Sequence, residues 1–92
     1  MMSVENSETI NINVLFFAKS RELAKTSRAV FAVESVVKTG QLLKQLIDRF
    51  DLSAISNCII LAHNENYLEN LDEEIRLQQG DEIAVIPPIS GG

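Results

Sequence analysis

The sequence predicts a single α+β domain, in which several short strands form a sheet and one main helix covers one face of it. The chain has 92 residues, which allows one domain with one modest hydrophobic core. Residues 39–50 have the apolar periodicity of an amphipathic helix. Five segments alternate between apolar and polar residues or are continuously apolar, as short strands are: residues 10–18, 28–34, 57–63, 67–68 and 83–86.

The first predicted strand is apolar on both faces. One face carries the alternating residues expected in the core, which are Ile10, Ile12, Val14, Phe16 and Ala18. The other face begins with Asn11 and Asn13 but continues with Leu15 and Phe17. A strand that is apolar on both sides is normally covered on both sides. Because the chain is too short for a second layer, we expect a partner protein to cover Leu15 and Phe17.

The middle of the chain contains the main helix, with Thr39 as its predicted N-cap. The apolar side of this helix consists of Leu42, Leu43, Leu46, Ile47 and Phe50. Residues 19–25 predict a helical turn, and residues 51–57 predict a loop with a short turn. Residues 72–75 predict the start of another helix, since Asp and Glu stabilise helix N-termini.

The last predicted strand leads directly into the C-terminus. Its apolar run, residues 83–86, ends at proline, which cannot donate to a ladder. Beyond the strand the chain consists of Pro87, Pro88, Ile89, Ser90, Gly91 and Gly92. The residues after Pro87 span at most about 16 Å when extended. We therefore predict a flexible N-terminal arm over residues 1–9, a folded domain over residues 10–88 and an extended tail over residues 89–92.

The terminal carboxylate of Gly92 is the predicted chemical group of this chain. A narrow tail can enter another protein's active site, because glycine permits close backbone approach. A carboxylate is a poor electrophile and must first be activated, for example as an acyl-adenylate. The sequence contains no Ser-His-Asp arrangement, phosphate loop or cysteine pair, so it predicts no catalytic centre within the chain itself.

Other residues of chemical interest are predicted to be structural. Cys58 opens an apolar strand, where a free cysteine is commonly a small buried hydrophobe. His63 is predicted to be a surface histidine at a strand end, since no second His, Cys or placed carboxylate accompanies it. The acidic residues 72–74 lack the spaced ligands and the glycine of a calcium loop. The sequence therefore predicts no metal site and no bound cofactor.

The charge is acidic and unevenly distributed. The net charge is −5, with seven Lys or Arg against five Asp or Glu in residues 1–50, and one Arg against eight Asp or Glu in residues 51–92. A nucleic-acid-binding protein would need a basic surface, so this class is set aside. The acidic half suits docking on a basic partner surface, and it equally suits a solvated face that keeps the protein soluble.

No targeting or membrane-spanning segment is predicted. The sequence has no stretch of eighteen apolar residues, and its first nine residues lack the basic start and apolar region of a signal peptide. A single cysteine cannot form an internal disulfide, which fits a reducing compartment. We therefore expect a cytoplasmic protein.

Two segments resemble the small, sulfur-carrying subunit of molybdopterin synthase: VLFFAKSREL at residues 14–23 and GDEIAVIPPISGG at residues 80–92. The resemblance covers about residues 10–92. It implies a ubiquitin-like β-grasp fold, with a mixed sheet of four to five strands whose first and last strands are parallel neighbours at its centre. Leu15, Phe17 and Ile86 would then form an apolar patch that docks on a partner.

The resemblance also implies a function. Gly92 would carry a thiocarboxylate whose sulfur goes to cyclic pyranopterin monophosphate, giving the dithiolene of molybdopterin in molybdenum cofactor biosynthesis. A ubiquitin-activating-type adenylyltransferase and sulfurtransferase would use ATP to form the acyl-adenylate. The large catalytic subunit of the synthase would receive the tail, Pro87 to Gly92. Two small and two large subunits would form a heterotetramer.

Two alternatives share the fold and the Gly-Gly end. The chain could be a protein modifier, joined through Gly92 to lysines of target proteins. It could also be the sulfur carrier of thiamin thiazole synthesis or of tRNA thiolation. The Pro-Pro-Ile-Ser lead-in to the terminal glycines and the Leu-Phe-Phe stretch favour molybdopterin synthase over both.

Overall fold

The structure is a computed structural model that describes residues 8–87. Its elements, in chain order, are β1 (Thr9–Phe16), α1 (Ala18–Ala24), β2 (Arg28–Glu34), β3 (Val36–Lys38), α2 (Thr39–Phe50), a 3₁₀ turn (Ser53–Ile55), β4 (Ile60–His63), β5 (Asn66–Leu68), β6 (Glu74–Arg76) and β7 (Glu82–Ile86). The predicted tail, residues 89–92, and most of the predicted arm lie outside the described residues.

The main sheet has five strands in the order β2-β1-β7-β4-β5. β1 pairs with β7 in parallel, and the other neighbours in this sheet are antiparallel. The first and last strands are therefore neighbours at the centre of the sheet, where they are hydrogen-bonded to each other. This arrangement confirms the predicted mixed sheet, its α+β class and the central place of the last strand.

The core lies between the main sheet and α2. Strands contribute Ile12, Val14, Phe16, Val33, Leu61, Ile83 and Val85, and α2 contributes Leu42, Leu46 and Phe50. The Phe16 and Phe50 rings meet edge to face, with centroids 4.8 Å apart. The predicted periodicities, of two in β1 and of 3.6 in α2, therefore select the buried residues Ile12, Val14 and Phe16 and the buried face of α2. The predicted core position of Ala18 is wrong, because the strand ends at Phe16 and Ala18 is exposed at the start of α1. None of the described helices is long and apolar enough to cross a membrane.

The start of α2 differs from the prediction. Lys38, in extended conformation, occupies the N-cap position, and Thr39 is the first helical residue. Thr39 is fully buried, and its backbone N–H and its hydroxyl both donate to the Glu73 carbonyl, at 2.9 and 3.2 Å. The predicted N-cap role of Thr39 is therefore wrong, because its hydroxyl holds a neighbouring segment rather than the helix end.

The predicted helix start at residues 72–75 is also wrong. Glu74–Arg76 is strand β6, which pairs antiparallel with β3 in a second, two-stranded sheet. Ile75 and Leu77 are buried while Glu74 and Arg76 are exposed, so the segment alternates as a strand does. The acidic residues that suggested a helix N-terminus face solvent, and tertiary burial of Ile75 and Leu77 decides the conformation.

Two predicted strands are shorter in the structure. β1 ends at Phe16, and Ala18 begins α1 with a left-handed backbone, φ +52°, on the exposed surface. β4 begins at Ile60, so residues 57–59 precede the strand. In consequence Cys58 is exposed, and the prediction that it is a buried strand residue is wrong.

Candidate functional site

The sheet face opposite α2 brings the predicted docking residues together. Leu15 of β1 lies directly beside Ala84 of β7 in the parallel ladder, and Ile86 follows Ala84 on the same face. Phe17 is the first residue after β1. Leu15 and Ile86 are half-buried, whereas Phe17 keeps 47% of its surface exposed. The structure therefore places all three predicted residues on the side of the sheet that the helix leaves open.

These residues line a shallow cleft of about 340 Å³. Its apolar lining consists of Leu15, Phe17, Ala62, Tyr67, Ala84 and Ile86, and its charged lining consists of Glu65 and Glu82. Ala62 is opposite both Ala84 and Tyr67 in the sheet, which explains how β4 and β5 complete the cleft. The cleft forms because the small side chains of Ala62 and Ala84 are surrounded by larger ones.

Sequence reasoning did not include Ala62, Tyr67 or Ile60 in this face. Ile60 is opposite Ile86 and 45% exposed, and Tyr67 is 64% exposed. The run Ile59-Ile60-Leu61-Ala62 is apolar at consecutive positions, so β4 carries the same two-sided signal as β1. Applying that signal to β4 would have extended the predicted patch to Ile60 and Ala62.

A larger groove, of 740 Å³, borders the cleft at the edge of the sheet. Its aliphatic lining consists of Leu43, Ile59, Ile60, Leu68 and Leu71. Tyr67 borders both the groove and the cleft. Apolar surface thus continues from the cleft around the β5 edge. The groove extends the open apolar face and does not bring a second set of reactive side chains together.

Ionic contacts around the cleft are weak. Arg28 and Glu82 approach to 3.9 Å across the open face, with side chains that are 60% and 47% exposed. A solvent-exposed pair of this kind contributes little to stability. Both groups therefore remain available to a partner, beside an apolar centre.

The strand that leads to the tail ends in a packed position. Pro87, the last described residue, is buried. The chain thus leaves the domain from a constrained point next to Ile86 and the cleft. The predicted tail residues Pro88, Ile89, Ser90, Gly91 and Gly92 lie outside the described residues, so their roles stay predictions.

The turn before β7 is held by a histidine–carboxylate contact. His63 Nε2 lies 2.7 Å from Asp81 Oδ2, and the Gln78 backbone N–H donates to the same oxygen at 2.9 Å. Burial alone would raise the pKa of Asp81, but hydrogen bonds from His63, Gln78 and Asn64 outweigh burial and lower it. Gly80, with φ +87°, makes the turn possible.

His63 therefore has a structural partner that the sequence did not reveal. His63 is the last residue of β4, as predicted, but its side chain is only 21% exposed. The prediction of its place at a strand end is therefore confirmed, and the prediction of a surface side chain is wrong. Within the described part of the chain, His, Cys, Asp and Glu side chains do not gather in groups of three that could hold a metal ion. The contact fastens β4 to the turn that begins β7.

Ser20 links α1 to the last strand, a contact that sequence reasoning also missed. Its hydroxyl is fully buried and lies 3.1 Å from the Val85 carbonyl and 2.7 Å from the Phe17 carbonyl. The Phe17 N–H donates to the same hydroxyl at 3.0 Å. Position N3 of a helix suits a side chain that accepts the N-cap N–H, which is the one local signal that the sequence offers.

The fold and the open apolar face define a ubiquitin-like β-grasp domain, and comparisons with known proteins agree. The chain has a TM-score of 0.68 and 25% identity to small archaeal modifier protein 1 from Methanosarcina acetivorans, over 92% of this chain and 99% of that one. A chain in the complex of subunits 1 and 2 of molybdopterin-converting factor from Helicobacter pylori is also similar in fold, with a TM-score of 0.63 and 23% identity over 90% of this chain and 100% of the matched chain.

Comparison of sequences identifies the family more specifically than comparison of folds does. The model of the ThiS family matches residues 14–92. The molybdopterin synthase sulfur carrier subunit of Drosophila ananassae is 57% identical over 83 residues, which are 90% of this chain and 92% of the relative. The chain therefore belongs to the ThiS family. The resemblance to molybdopterin synthase sulfur carriers, noted from residues 14–23 and 80–92, is confirmed.

Proposed function

We propose that this chain is the sulfur carrier subunit of a molybdopterin synthase and delivers sulfur for molybdenum cofactor biosynthesis. The 57% identity to the sulfur carrier subunit of Drosophila ananassae, over 90% of this chain, carries the proposal. This relationship confirms the sulfur-carrier function that was predicted from the sequence. We further propose roles for the tail, the partners and the activation chemistry.

Gly92 is the group that carries the sulfur. An activating enzyme first joins the Gly92 carboxylate to the AMP portion of ATP and releases pyrophosphate. Hydrosulfide from a sulfur donor then attacks the acyl carbon, AMP leaves, and the sulfur remains bonded to the carbonyl carbon as a thiocarboxylate. Transfer of that sulfur to cyclic pyranopterin monophosphate, with water supplying the returning oxygen, restores the carboxylate. The carrier therefore holds no permanent cofactor, and ATP is consumed by the activating enzyme.

The tail, Pro87 to Gly92, inserts into the partner's active site. Support comes from the buried position of Pro87, which gives the tail a fixed starting point beside the cleft. Glycine at residues 91 and 92 keeps the tail narrow at its reactive end. The substrate pocket and the catalytic basic residues belong to the partner.

The open apolar face docks on the large catalytic subunit. Leu15, Phe17 and Ile86 form its centre, and Phe17 is the exposed aromatic side chain of the kind that anchors interfaces. The relative from Helicobacter pylori, whose fold is similar, was solved in a complex of subunits 1 and 2, which supports a two-subunit partnership here. The open face and the start of the tail are adjacent, so docking and tail insertion can occur together.

A dithiolene contains two sulfur atoms, whereas each loaded carrier brings one. Two carriers are therefore consumed for each molybdopterin, which suits a heterotetramer of two small and two large subunits. The activating enzyme, an adenylyltransferase and sulfurtransferase of the ubiquitin-activating type, must also bind this small domain. We propose a cytoplasmic location, which the single unpaired cysteine supports.

The protein-modifier alternative receives specific support from one observation. Small archaeal modifier protein 1 from Methanosarcina acetivorans shares the fold at 25% identity. The higher identity to molybdopterin synthase carriers favours sulfur transfer. Intact mass of the chain purified from its own cells separates the two functions, because a carrier gains the mass difference of sulfur for oxygen whereas a modifier is recovered joined to other proteins.

Deletion of Gly92 tests the proposed function directly. Wild-type chain and the deletion variant are incubated with activating enzyme, sulfur donor and ATP, then with the large subunit and cyclic pyranopterin monophosphate. We expect the deletion to abolish thiocarboxylate formation and molybdopterin synthesis, because a reacting atom misplaced by about 1 Å can lose on the order of a hundredfold in rate.

Binding of the large subunit is the control in this experiment. The Gly92 deletion should bind through the open face with nearly wild-type affinity, since residues 8–87 are unchanged. Sulfur delivery by the deletion variant at the wild-type rate would contradict the proposed function.

A further inference from the structure

Ser20 occupies an unusual position for a polar residue. It is fully buried in α1, and its hydroxyl contacts the backbone of two different segments. The hydroxyl accepts the Phe17 N–H at 3.0 Å, and its single proton is shared between the carbonyls of Phe17, at 2.7 Å, and Val85, at 3.1 Å. The Ser20 backbone N–H also donates to the Phe17 carbonyl, at 3.1 Å. Ser20 thus bonds to Val85, which is 65 positions away in the sequence.

The two segments separate at this point in the fold. The parallel ladder of β1 and β7 ends with the pair Phe16 and Val85. Beyond it, β1 turns into α1 through Phe17 and Ala18, whereas β7 continues toward Pro87 and the tail. The Ser20 hydroxyl lies just past the last ladder pair, so it joins the two chains where the ladder no longer does.

Each joined segment carries a functional feature. Phe17 presents its exposed ring to the cleft that we assign to partner docking. Val85 lies two residues before Pro87, from which the tail begins. The Ser20 contacts therefore set the position of a docking side chain relative to the start of the tail. Nothing in the proposed chemistry requires Ser20 to touch substrate, so its role is indirect.

We propose that Ser20 is a positioning residue for sulfur transfer, which holds the docking face and the start of the tail in the mutual orientation that places Gly92 in the partner's active site. The inference rests on the proposed function. A buried hydroxyl is costly unless it is hydrogen-bonded, and here its bonds go both to Phe17, the N-cap of its own helix, and to Val85 of β7. Loss of the hydroxyl leaves docking possible but lets the tail start from a range of positions.

Ser20→Ala tests this inference in the sulfur-transfer assay. With chain that is already thiocarboxylated and saturating for the large subunit, we expect the transfer rate to fall about tenfold, because small errors in the position of a reacting atom are costly. The dissociation constant for the large subunit should change much less. Ser20→Cys, which keeps the size and a weak S–H donor, should transfer sulfur at an intermediate rate.

Val37→Ala is the matched control. Val37 is buried in the β3–β6 sheet, so truncation lowers the melting temperature without touching Phe17, Val85 or the cleft. All variants are assayed at a temperature where thermal melts show them folded. We expect Val37→Ala to transfer sulfur at the wild-type rate at saturation, although its melting temperature is lower.

Amide hydrogen exchange gives a readout that is independent of activity. Ser20→Ala should lose protection at the Phe17 N–H, and Val37→Ala should retain it. Wild-type transfer by Ser20→Ala at saturation, or an equal loss of rate in Val37→Ala, would overturn the positioning role. Failure of the wild-type chain itself to deliver sulfur would instead overturn the proposed function.

Discussion

Phe16 and Phe17 are neighbours in the sequence and have opposite environments. Phe16 is buried and packs edge to face against Phe50, whereas Phe17 is 47% exposed beside the cleft. The difference follows from strand geometry, in which successive side chains point to opposite faces. Exposing a large aromatic side chain gives no benefit to an isolated domain, so Phe17 is the residue whose environment best indicates a docking surface.

Phe17→Ala should therefore weaken binding of the large subunit while leaving the domain folded. An aromatic anchor at an interface often contributes about 2 kcal/mol or more, which corresponds to roughly thirtyfold in dissociation constant. Calorimetric titration measures the affinity, and a thermal melt measures stability. The melting temperature should stay close to wild type because the ring is half outside the core.

Val30→Ala is the matched control for Phe17→Ala. Val30 lies on the same open face, in edge strand β2, and is 65% exposed, but it does not line the cleft. It should bind the large subunit with wild-type affinity. The docking assignment would be contradicted if Phe17→Ala lowered the melting temperature strongly, or if both variants bound equally well.

Among the secondary-structure elements, α2 contributes most clearly to the core through one face. Leu42, Leu46 and Phe50 are buried at helical spacing, and Lys44 and Gln45 between them are exposed. This periodicity is strong enough for the sequence to predict the helix and its buried side. The short strands β3 and β6 show the opposite case, since neither was predicted and each carries little periodic signal in its three residues.

Leu46→Asp should unfold the domain. Leu46 is fully buried, and an unpaired carboxylate there costs several kcal/mol against a total stability of about 5–15 kcal/mol. Circular dichroism during a thermal melt should show no cooperative transition. The control is Lys44→Asp, on the exposed side of the same helix, which should melt within a few degrees of wild type. A cooperative melt for Leu46→Asp would mean that the buried face of the helix has been assigned wrongly.

For the molecule as a whole, the central relationship is between the open face and the end of the tail. In the proposed function, docking through Leu15, Phe17 and Ile86 sets the position of the domain on its partner, and Pro87 sets where the tail begins. We propose that the predicted tail to Gly92 acts as a linker of fixed length, since each added residue extends a chain by at most about 3.3–3.6 Å. Function in this proposal depends on that length as much as on any side chain.

Addition of one glycine after Gly92 should therefore abolish thiocarboxylate formation and sulfur delivery. The extended chain still ends in an unhindered carboxylate, so the loss would reflect its position and not its chemistry. Mass spectrometry after incubation with the activating enzyme, ATP and sulfur donor measures loading. Normal loading and transfer by the extended chain would show that the tail does not act as a fixed-length linker.

The sequence by itself determined the elements whose signals are local. Alternation in β1, helical spacing in α2 and the proline-terminated run in β7 predicted most of the core, because each pattern repeats over several residues of one element. Ala18 is the exception, since it lies just beyond the end of β1 and is exposed. Leu15 and Phe17, which are apolar on the face of β1 opposite the core, predicted the open apolar face. The residues at 14–23 and 80–92 predicted the family, which the comparisons confirm.

Only the tertiary structure decided the features that depend on distant parts of the chain. The β3–β6 pair, the contact between His63 and Asp81, the completion of the cleft by Ala62 and Tyr67, and the Ser20 link to Val85 join segments far apart in sequence. The exposure of Cys58 likewise follows from where β4 begins in the sheet. No local pattern encodes such contacts, because their stability arises from burial and hydrogen bonds that exist only once the sheet has assembled.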